Sequence, residues 1–138
     1  MTRSDVDRST TLLVVDDEPA IRVLLSDLLA ETGHHVYTVP DGGEALETLR
    51  RGPLPCVVIL DLMLPRVNGW QVLGELRANP RLATIPVIVL SAYSDAVAVA
   101  REYGVEAALS KPFDPADLLD AVQVHCPGHA APARPTPG

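Results

Sequence analysis

The chain has 138 residues, 47% of them hydrophobic, and a formal net charge of −7 at pH 7. This size suits one domain with a single core, and the hydrophobic content excludes a disordered chain. The acidic balance argues against direct binding to nucleic acid, whose phosphates it would repel. No apolar run reaches the roughly 20 residues that span a bilayer, and the polar N-terminus does not resemble a signal peptide. We therefore expect a cytoplasmic protein without membrane contacts.

Short apolar runs alternate with amphipathic segments along the whole chain. The runs at 11–15, 35–39, 56–60, 86–90 and 107–109 have the β-branched, continuous character of buried parallel strands. Helices are predicted from Pro19 to near Gly33, from Asp41 to Gly52, and over 71–78, 94–103 and 115–125. Five strand–helix repeats predict an α/β fold, a flavodoxin-like (βα)5 doubly wound parallel sheet of strand order 2-1-3-4-5. One domain over 11–126 is expected, between a flexible N-terminus (1–10) and a Pro-rich tail or linker (127–138).

Two helices have apolar stripes that predict which face meets the sheet. In the first helix the spacing i, i+3, i+4, i+7, i+8 assigns five residues to the core: Ile21, Leu24, Leu25, Leu28 and Leu29. In the fourth, we expect Ala96, Val99, Ala100 and Tyr103 inside, with Val97 and Ala98 on or near the outer face. That outer face is either ordinary surface helix or a docking surface for an output partner or a second copy.

Polar residues stand where four of the predicted strands end. Asp16 and Asp17 follow strand one, Asp61 follows strand three, Ser91 follows strand four, and Lys111 follows strand five. Carboxyl ends of parallel strands share one edge of a sheet, so these side chains should converge. Clustered carboxylates need a positive partner, and Mg²⁺ and Lys111 are the candidates. Such a site suits a carboxylate nucleophile that accepts a phosphoryl group.

Each residue also has a structural explanation. An aspartate pair or a serine after a strand often caps a helix, and Lys-Pro is a common loop dipeptide. The coincidence of all five at four strand ends favours a site. Lys111 is, moreover, the only lysine among eleven basic residues, and a compact ammonium suits a single phosphoryl oxygen better than a guanidinium does.

Four motifs resemble those of receiver domains of bacterial response regulators in two-component systems, including chemotaxis receivers. They are VVDDE at 14–18, DLMLPRVNGW at 61–70, LSA at 90–92 and SKPF at 110–113. The resemblance implies that Asp61 is the phosphoacceptor in a phosphorelay and that a sensor histidine kinase or histidine phosphotransfer protein is the donor. It implies a Mg²⁺ (or Mn²⁺) site made by Asp16, Asp17, Asp61 and the backbone carbonyl of Met63.

The resemblance further implies that Ser91 and Lys111 contact the phosphoryl group, that Pro65 and Gly69 shape the loop after Asp61, and that the Lys111–Pro112 bond is cis. Such a domain catalyses only its own phosphorylation and dephosphorylation and is otherwise not an enzyme. It is either a stand-alone receiver or a fragment that ends in its linker.

This chain departs from the family pattern at two positions. Ala108 stands where many relatives carry a switch aromatic, so we expect activation to appear instead around 91–99. Met63, two residues after Asp61, offers no strong hydrogen bond to a water molecule, which predicts slow self-dephosphorylation.

Two other functions compete with this one. The first is a Mg²⁺-dependent aspartyl-phosphate phosphatase, which would place a second aspartate at position 63. The second is a receiver-like binding module that works without phosphorylation, in which the acceptor or the acidic pair is usually missing. Outside the site, Cys56 and Cys126 are expected to be reduced, as a buried residue and a helix-end residue, and His34 and His35 are expected to face solvent.

Overall fold

The computed structural model describes residues 11–52, 54–64 and 68–126. The sequence predictions for the N-terminus (1–10) and for the tail or linker (127–138) lie outside these residues, as does Pro65. Within the described residues the chain alternates between strands and helices from its first element to its last. This alternation is the feature that the apolar periodicity predicted.

Five parallel strands form one sheet in the order β2-β1-β3-β4-β5. The strands are β1 (Thr11–Val15), β2 (His35–Val39), β3 (Val57–Asp61), β4 (Val87–Ser91) and β5 (Ala107–Ser110). β1, β3 and β4 are buried along their full length, as expected for strands covered on both faces. The predicted flavodoxin-like fold and strand order are confirmed, with strand boundaries correct to within one residue.

Four helices connect the strands and a fifth follows β5: α1 (Pro19–Ala30), α2 (Gly42–Arg51), α3 (Gly69–Ala78), α4 (Ser94–Glu102) and α5 (Pro115–His125). Local chemistry explains several of their ends. The Asp41 side chain accepts the Glu44 N–H at the start of α2, and Asn68 and Gln71 form a reciprocal capping box on α3. Gly33, with φ +86°, terminates α1 in a conformation that favours glycine.

The sheet divides the apolar core into two layers. One layer lies under α2, α3 and α4 and includes Val58, Leu60 and Val89 from the alternate positions of β3 and β4. The other lies under α1 and α5 and includes Val57, Ile59 and Ile88 from the intervening positions. Helices therefore cover both faces, and the polar residues at the strand ends lie at the rim between the layers.

Two predictions about helix faces are wrong in part. In α1, Leu25 and Leu29 are fully buried, but Leu24 is 44% exposed. In α4 the core residues are Val97 and Ala100, while Val99 and Tyr103 are exposed. The helical phase explains the α4 result, because Val97 and Ala100 are three residues apart on one face. Tyr103 lies beyond the last helical residue and packs on Trp70, with ring centroids 5.4 Å apart.

The expectations that the cysteines are reduced and that His34 faces solvent are also wrong. Cys56 and Cys126, 70 residues apart in sequence, form a disulfide. Helix α5 runs antiparallel to the strands, so its end returns to the edge of the sheet where β3 begins. At that same edge His34 is buried, and only His35 is exposed.

Candidate functional site

Three carboxylates meet at the carboxyl ends of β1 and β3. Asp16, Asp17 and Asp61 each offer an oxygen, and these atoms all lie within 4.8 Å of one another. Asp16 and Asp61 are buried, while Asp17 is exposed. Because β1 and β3 are neighbours in the sheet, the convergence follows from the strand order. We call this group, together with Glu18 and Lys111, the acidic pocket.

Lys111 supplies positive charge to the acidic pocket. Its Nζ donates to Asp16 Oδ2 at 2.8 Å, to Asp61 Oδ2 at 3.2 Å and to Glu18 Oε1 at 3.3 Å. The side chain comes from the end of β5, at the far edge of the sheet from β2, and reaches back across β4. The prediction that the lone lysine approaches the carboxylates is confirmed, and Glu18 is a partner that the sequence analysis did not single out.

The pocket perturbs the ionisation of its own groups. Burial raises the pKa of the Asp61 carboxyl, and the negative charge of Asp16 acts in the same direction. The Met63 backbone N–H and the charge of Lys111 oppose this without cancelling it. For Lys111, burial alone would lower the pKa, but the hydrogen bond to Asp16 and the charges of Asp61 and Asp16 raise it above its ordinary value. Lys111 is therefore a permanent cation at neutral pH.

Backbone contacts hold the two aspartates that carry the site. Asp16 Oδ1 accepts the Glu18 N–H at 2.9 Å, and Asp61 Oδ1 accepts the Met63 N–H at 2.9 Å. The Arg22 guanidinium donates to the backbone carbonyl of Asp16 at 2.7 Å. Arg22 was not recognised from the sequence, although its place one turn into α1 puts it within reach of the β1–α1 loop. These bonds leave the second oxygens of Asp16 and Asp61 directed to Lys111.

Ser91 lies fully buried at the end of β4. Its Oγ accepts the Tyr93 N–H at 3.1 Å, and its backbone carbonyl accepts the Lys111 N–H at 2.7 Å. Ser91 is thus bonded to the backbone of the residue that enters the acidic pocket. Tyr93 itself is 60% exposed.

Ala108 is buried, and its carbonyl accepts a hydrogen bond from Arg101 at 3.1 Å. The position that would carry a switch aromatic is therefore filled by a methyl group, and a guanidinium from α4 holds its backbone. A Ser–aromatic exchange at this position is not available to this chain.

The loop after Asp61 passes close to its own strand. A Cβ added to Gly69 would lie 2.4 Å from the carbonyl oxygen of Asp61 and 2.4 Å from Leu62 Cα. Only glycine allows this approach, which agrees with the predicted role of Gly69 in shaping the loop. On the other side of the pocket, the Lys111–Pro112 peptide bond is cis, as expected.

Two cavities border the acidic pocket. One of about 490 Å³ is lined by Asp17, Leu62, Met63, Leu64, Asn68 and Trp70. The other, of about 450 Å³, has a largely apolar wall formed by Ile21, Leu24, Ala92, Pro112 and Phe113, with Glu18 and Lys111 at its margin. The second cavity, which we call the α1 groove, explains why Leu24 is exposed.

Chemically, the pocket offers oxygen donors, an ammonium and an ionisable carboxylate with a raised pKa. An all-oxygen donor set with four carboxylates against one ammonium fits a hard divalent cation such as Mg²⁺ or Mn²⁺. The Met63 carbonyl as a further ligand remains a prediction.

In the described residues no helix is long and apolar enough to cross a membrane.

The fold and the acidic pocket define a class of flavodoxin-like signalling domains, and comparison with known proteins specifies the family. Residues 12–123 match the family described as "Response regulator receiver domain". The chain is 38% identical over 118 residues to a protein of Leptolyngbya boryana named "Uncharacterized 14.6 kDa protein in sodA1 3'region", covering 83% of this chain and 88% of that protein. It is 39% identical over 115 residues to response regulator Rre1 of Synechocystis, covering 81% of this chain and 49% of that protein.

Among solved structures, the Mn²⁺-bound form of response regulator Rcp1 matches with a TM-score of 0.71 and 32% identity, covering 83% of this chain and 90% of that one. The chain belongs to the response regulator receiver domain family of two-component signalling. It spans less than half of most of the first curated relatives, which carry further sequence of their own.

Proposed function

We propose that this domain accepts a phosphoryl group on Asp61 from a phosphohistidine, in a reaction that depends on Mg²⁺, and signals by a conformational change. The observation that supports this most strongly is the convergence of Asp16, Asp17 and Asp61 at the strand ends, where Lys111 bonds both Asp16 and Asp61. The donor is a sensor histidine kinase or a histidine phosphotransfer protein. The domain catalyses only its own phosphorylation and dephosphorylation.

In the transfer, an Asp61 carboxylate oxygen attacks phosphorus, the bond between phosphorus and the donor imidazole nitrogen breaks, and the product is an acyl phosphate. Asp61 Oδ1 is held by the Met63 N–H, so Oδ2, which faces Lys111, is the attacking oxygen. Lys111 then exchanges part of its contact with Asp61 for a phosphoryl oxygen. The Ser91 hydroxyl donates to another phosphoryl oxygen.

Asp16, Asp17, Asp61 and the Met63 carbonyl would hold Mg²⁺. The bound ion would neutralise charge on the phosphoryl oxygens during transfer. Binding would also oppose the effect of burial on Asp61 and keep its carboxyl ionised at neutral pH, which the nucleophile requires. The similar response regulator Rcp1 is known in a Mn²⁺-bound form, which supports a divalent cation as a ligand of this domain.

The output step follows from the bonds of Ser91. When its hydroxyl turns to the phosphoryl group, the Tyr93 N–H loses its acceptor. The segment from Ser91 into α4 then rearranges. Ala108 takes no part in this step as a switch residue, because it has no aromatic ring. The face of helix 94–103 remains a prediction as the contact for an output partner or a second copy.

We place the phosphodonor on the α1 groove. The donor must bring an imidazole to Asp61 beside Lys111, and this groove is the apolar surface that adjoins Lys111. Leu24, 44% exposed at its wall, offers an apolar contact for a helix of the donor protein. A Leu24→Asp variant should keep its labelling by acetyl phosphate but lose transfer from a phosphorylated histidine protein. Equal losses with both donors would contradict this placement.

The phosphoacceptor is tested by incubation with acetyl phosphate and Mg²⁺, followed by intact-mass spectrometry. We expect an adduct of about 80 Da that is acid-stable, alkali-labile and absent without Mg²⁺. Asp61→Asn should abolish it, and Asp120→Asn, which changes an exposed aspartate on α5, should leave it intact. Continuous release of phosphate would indicate the phosphatase instead, and no adduct on wild-type protein would indicate a phosphorylation-independent binding module.

A further inference from the structure

A second cluster lies at the opposite edge of the sheet from the acidic pocket. Cys56 immediately precedes β3, and Cys126 immediately follows α5, the last described helix. Their Cα atoms are 5.6 Å apart and their sulfurs are joined, a separation typical of disulfides. Strand β3 and helix α5 bring the two residues together from 70 positions apart in the chain.

A buried histidine reinforces the same junction. His34, just after α1, is 5% exposed, and its Nε2 lies 2.5 Å from the Cys126 carbonyl oxygen. Its Nδ1 lies 2.6 Å from Thr32 Oγ1. The ring therefore spans from the end of α1 to the end of α5. We call Thr32, His34, Cys56 and Cys126 the C-terminal clasp, because together they tie the end of α5 to the base of the sheet.

The surroundings of Cys56 accommodate the reduced state as well. Its Sγ lies 3.1 Å from the backbone carbonyl of Thr11, which would accept the S–H of a free thiol. After reduction the Cys56 thiol therefore keeps an acceptor for its S–H, and the His34 bond to the Cys126 carbonyl does not depend on the sulfur. The geometry thus suits a pair that passes between two states, rather than one that must stay oxidised.

We infer that Cys56 and Cys126 form a reversible redox-modification site whose substrate is a dithiol reductant and whose oxidant is a small-molecule disulfide. The more accessible sulfur sets the order of the reaction. Cys126 is 1% exposed and Cys56 is only partly buried, so a thiolate of the dithiol attacks Cys56 Sγ and Cys126 leaves as the thiolate. The second thiol of the reductant then breaks the mixed disulfide and releases Cys56.

The exchange is balanced. The dithiol gives up two electrons and two protons and becomes a disulfide, and the domain gains two thiols. Oxidation runs the reverse way, with a small disulfide such as glutathione disulfide taking the electrons and leaving as two thiols. No metal ion takes part.

The physical consequence is a change in how firmly α5 is held. Its inner face rests on the core through Leu118 and Val122, which are fully buried, so the helix stays docked in both states. What changes is its final turn and the point from which the chain continues beyond Cys126. Asp61 lies at the other end of β3, so the phosphoacceptor chemistry should be the same in the oxidised and reduced protein.

The test uses the full chain equilibrated in glutathione buffers of graded oxidation, with free thiols counted by alkylation and mass spectrometry. We expect monomers that lose both thiols together, in one two-electron transition, and regain both with dithiothreitol. The oxidised protein should melt on the order of 10 °C above the reduced protein. Amide exchange in the last turn of α5 should be faster after reduction, with β1 and β3 unchanged.

Cys56→Ala is the matched control, because it keeps Cys126 and the His34 bond but cannot form the disulfide. Its melting temperature should not respond to dithiothreitol, and Cys126→Ala should behave in the same way if the first variant folds poorly. Two free thiols that persist in glutathione disulfide, or a melting temperature of wild type that ignores reduction, would overturn the inference. Disulfide-linked dimers in place of the internal bond would overturn it as well. Labelling by acetyl phosphate in both redox states separates this result from the proposed function.

Discussion

The acidic pocket makes the stability of the metal-free domain depend on Asp61. Burial raises the pKa of this carboxyl, which means that folding disfavours its ionised form. We therefore predict that Asp61→Asn raises the melting temperature in the absence of divalent cations. The amide removes the buried charge, while Lys111 keeps Asp16 and Glu18 as partners.

The pocket charges give the size of the effect. Two like charges about 5 Å apart repel by roughly 3 kcal/mol at the effective dielectric constant of about 20 that applies near protein surfaces. Asp61→Asn relieves such repulsions with Asp16 and Asp17, but it also removes the attraction of Asp61 to Lys111 at 3.2 Å. The attraction offsets most of the gain. A net stabilisation on the order of 1 kcal/mol remains, or about 4 °C for a domain of this size.

Mg²⁺ should reverse this order, so that wild type has a higher melting temperature than Asp61→Asn. A ligand at a hundredfold excess over its Kd stabilises the protein that binds it by about 2.7 kcal/mol, which is roughly 10 °C. Wild type should gain this amount and Asp61→Asn much less, because the variant has lost one charged ligand. The Kd is measured from the fluorescence of Trp70, the only tryptophan, which lines a cavity together with Asp17.

The assay is thermal unfolding followed by circular dichroism, in EDTA and in graded MgCl₂, with Asp120→Asn as the control. Without divalent cations, the pH dependence of the melting temperature should also show that ionised Asp61 destabilises wild type. The lower melting temperature of wild type relative to Asp61→Asn is fully present above the raised pKa of Asp61. The difference vanishes as the pH falls towards the ordinary pKa of 3.8, because the carboxyl is then protonated in both the folded and the unfolded protein. Equal Mg²⁺ shifts in wild type and Asp61→Asn, or a variant that melts below wild type in EDTA, would refute this reasoning.

Three further predictions concern the surroundings of the pocket. Gly69→Ala should lower the free energy of unfolding in urea by about 2 kcal/mol or more, because the added Cβ would lie 2.4 Å from backbone atoms. As the control, Gly74→Ala should raise it by about 0.5 kcal/mol, because the added Cβ would have nothing within 4 Å. Met63→Asn should shorten the lifetime of the phosphorylated protein, measured by mass spectrometry after removal of acetyl phosphate, since an amide can orient a water that Met63 cannot; an unchanged lifetime would count against this. Phosphorylation should shift the backbone NMR signals of 91–99 more than those of β2, and unmoved signals there would disprove the proposed output path.

Much of the fold was predictable because its determinants are local. Continuous β-branched runs can be buried on both faces only in a covered parallel sheet, and right-handed crossovers then leave few strand orders. The position of the site followed from the same logic, because parallel strands bring their carboxyl ends to one edge. Asp16, Asp61, Ser91 and Lys111 could therefore be placed together without coordinates.

The side-chain partners were not predictable in this way. The sequence did not indicate that Lys111 contacts Glu18 as well as two aspartates, or that Arg22 binds the Asp16 carbonyl. These contacts depend on the angle of α1 and on the course of the loop after β5. The predictions of buried helix faces were wrong in part for a related reason. In a run rich in leucine, or in alanine and valine, more than one face of the helix is apolar, and only the neighbouring elements decide which face is buried.

The sequence by itself determined the order of elements, the class of site and the charge of its residues, since periodicity and strand ends are properties of contiguous residues. Only the tertiary structure decided that Leu24 lines a groove, that His34 is buried and that Cys56 meets Cys126. Each of these depends on elements distant in the chain that packing brings together, and no local pattern specifies how close they come.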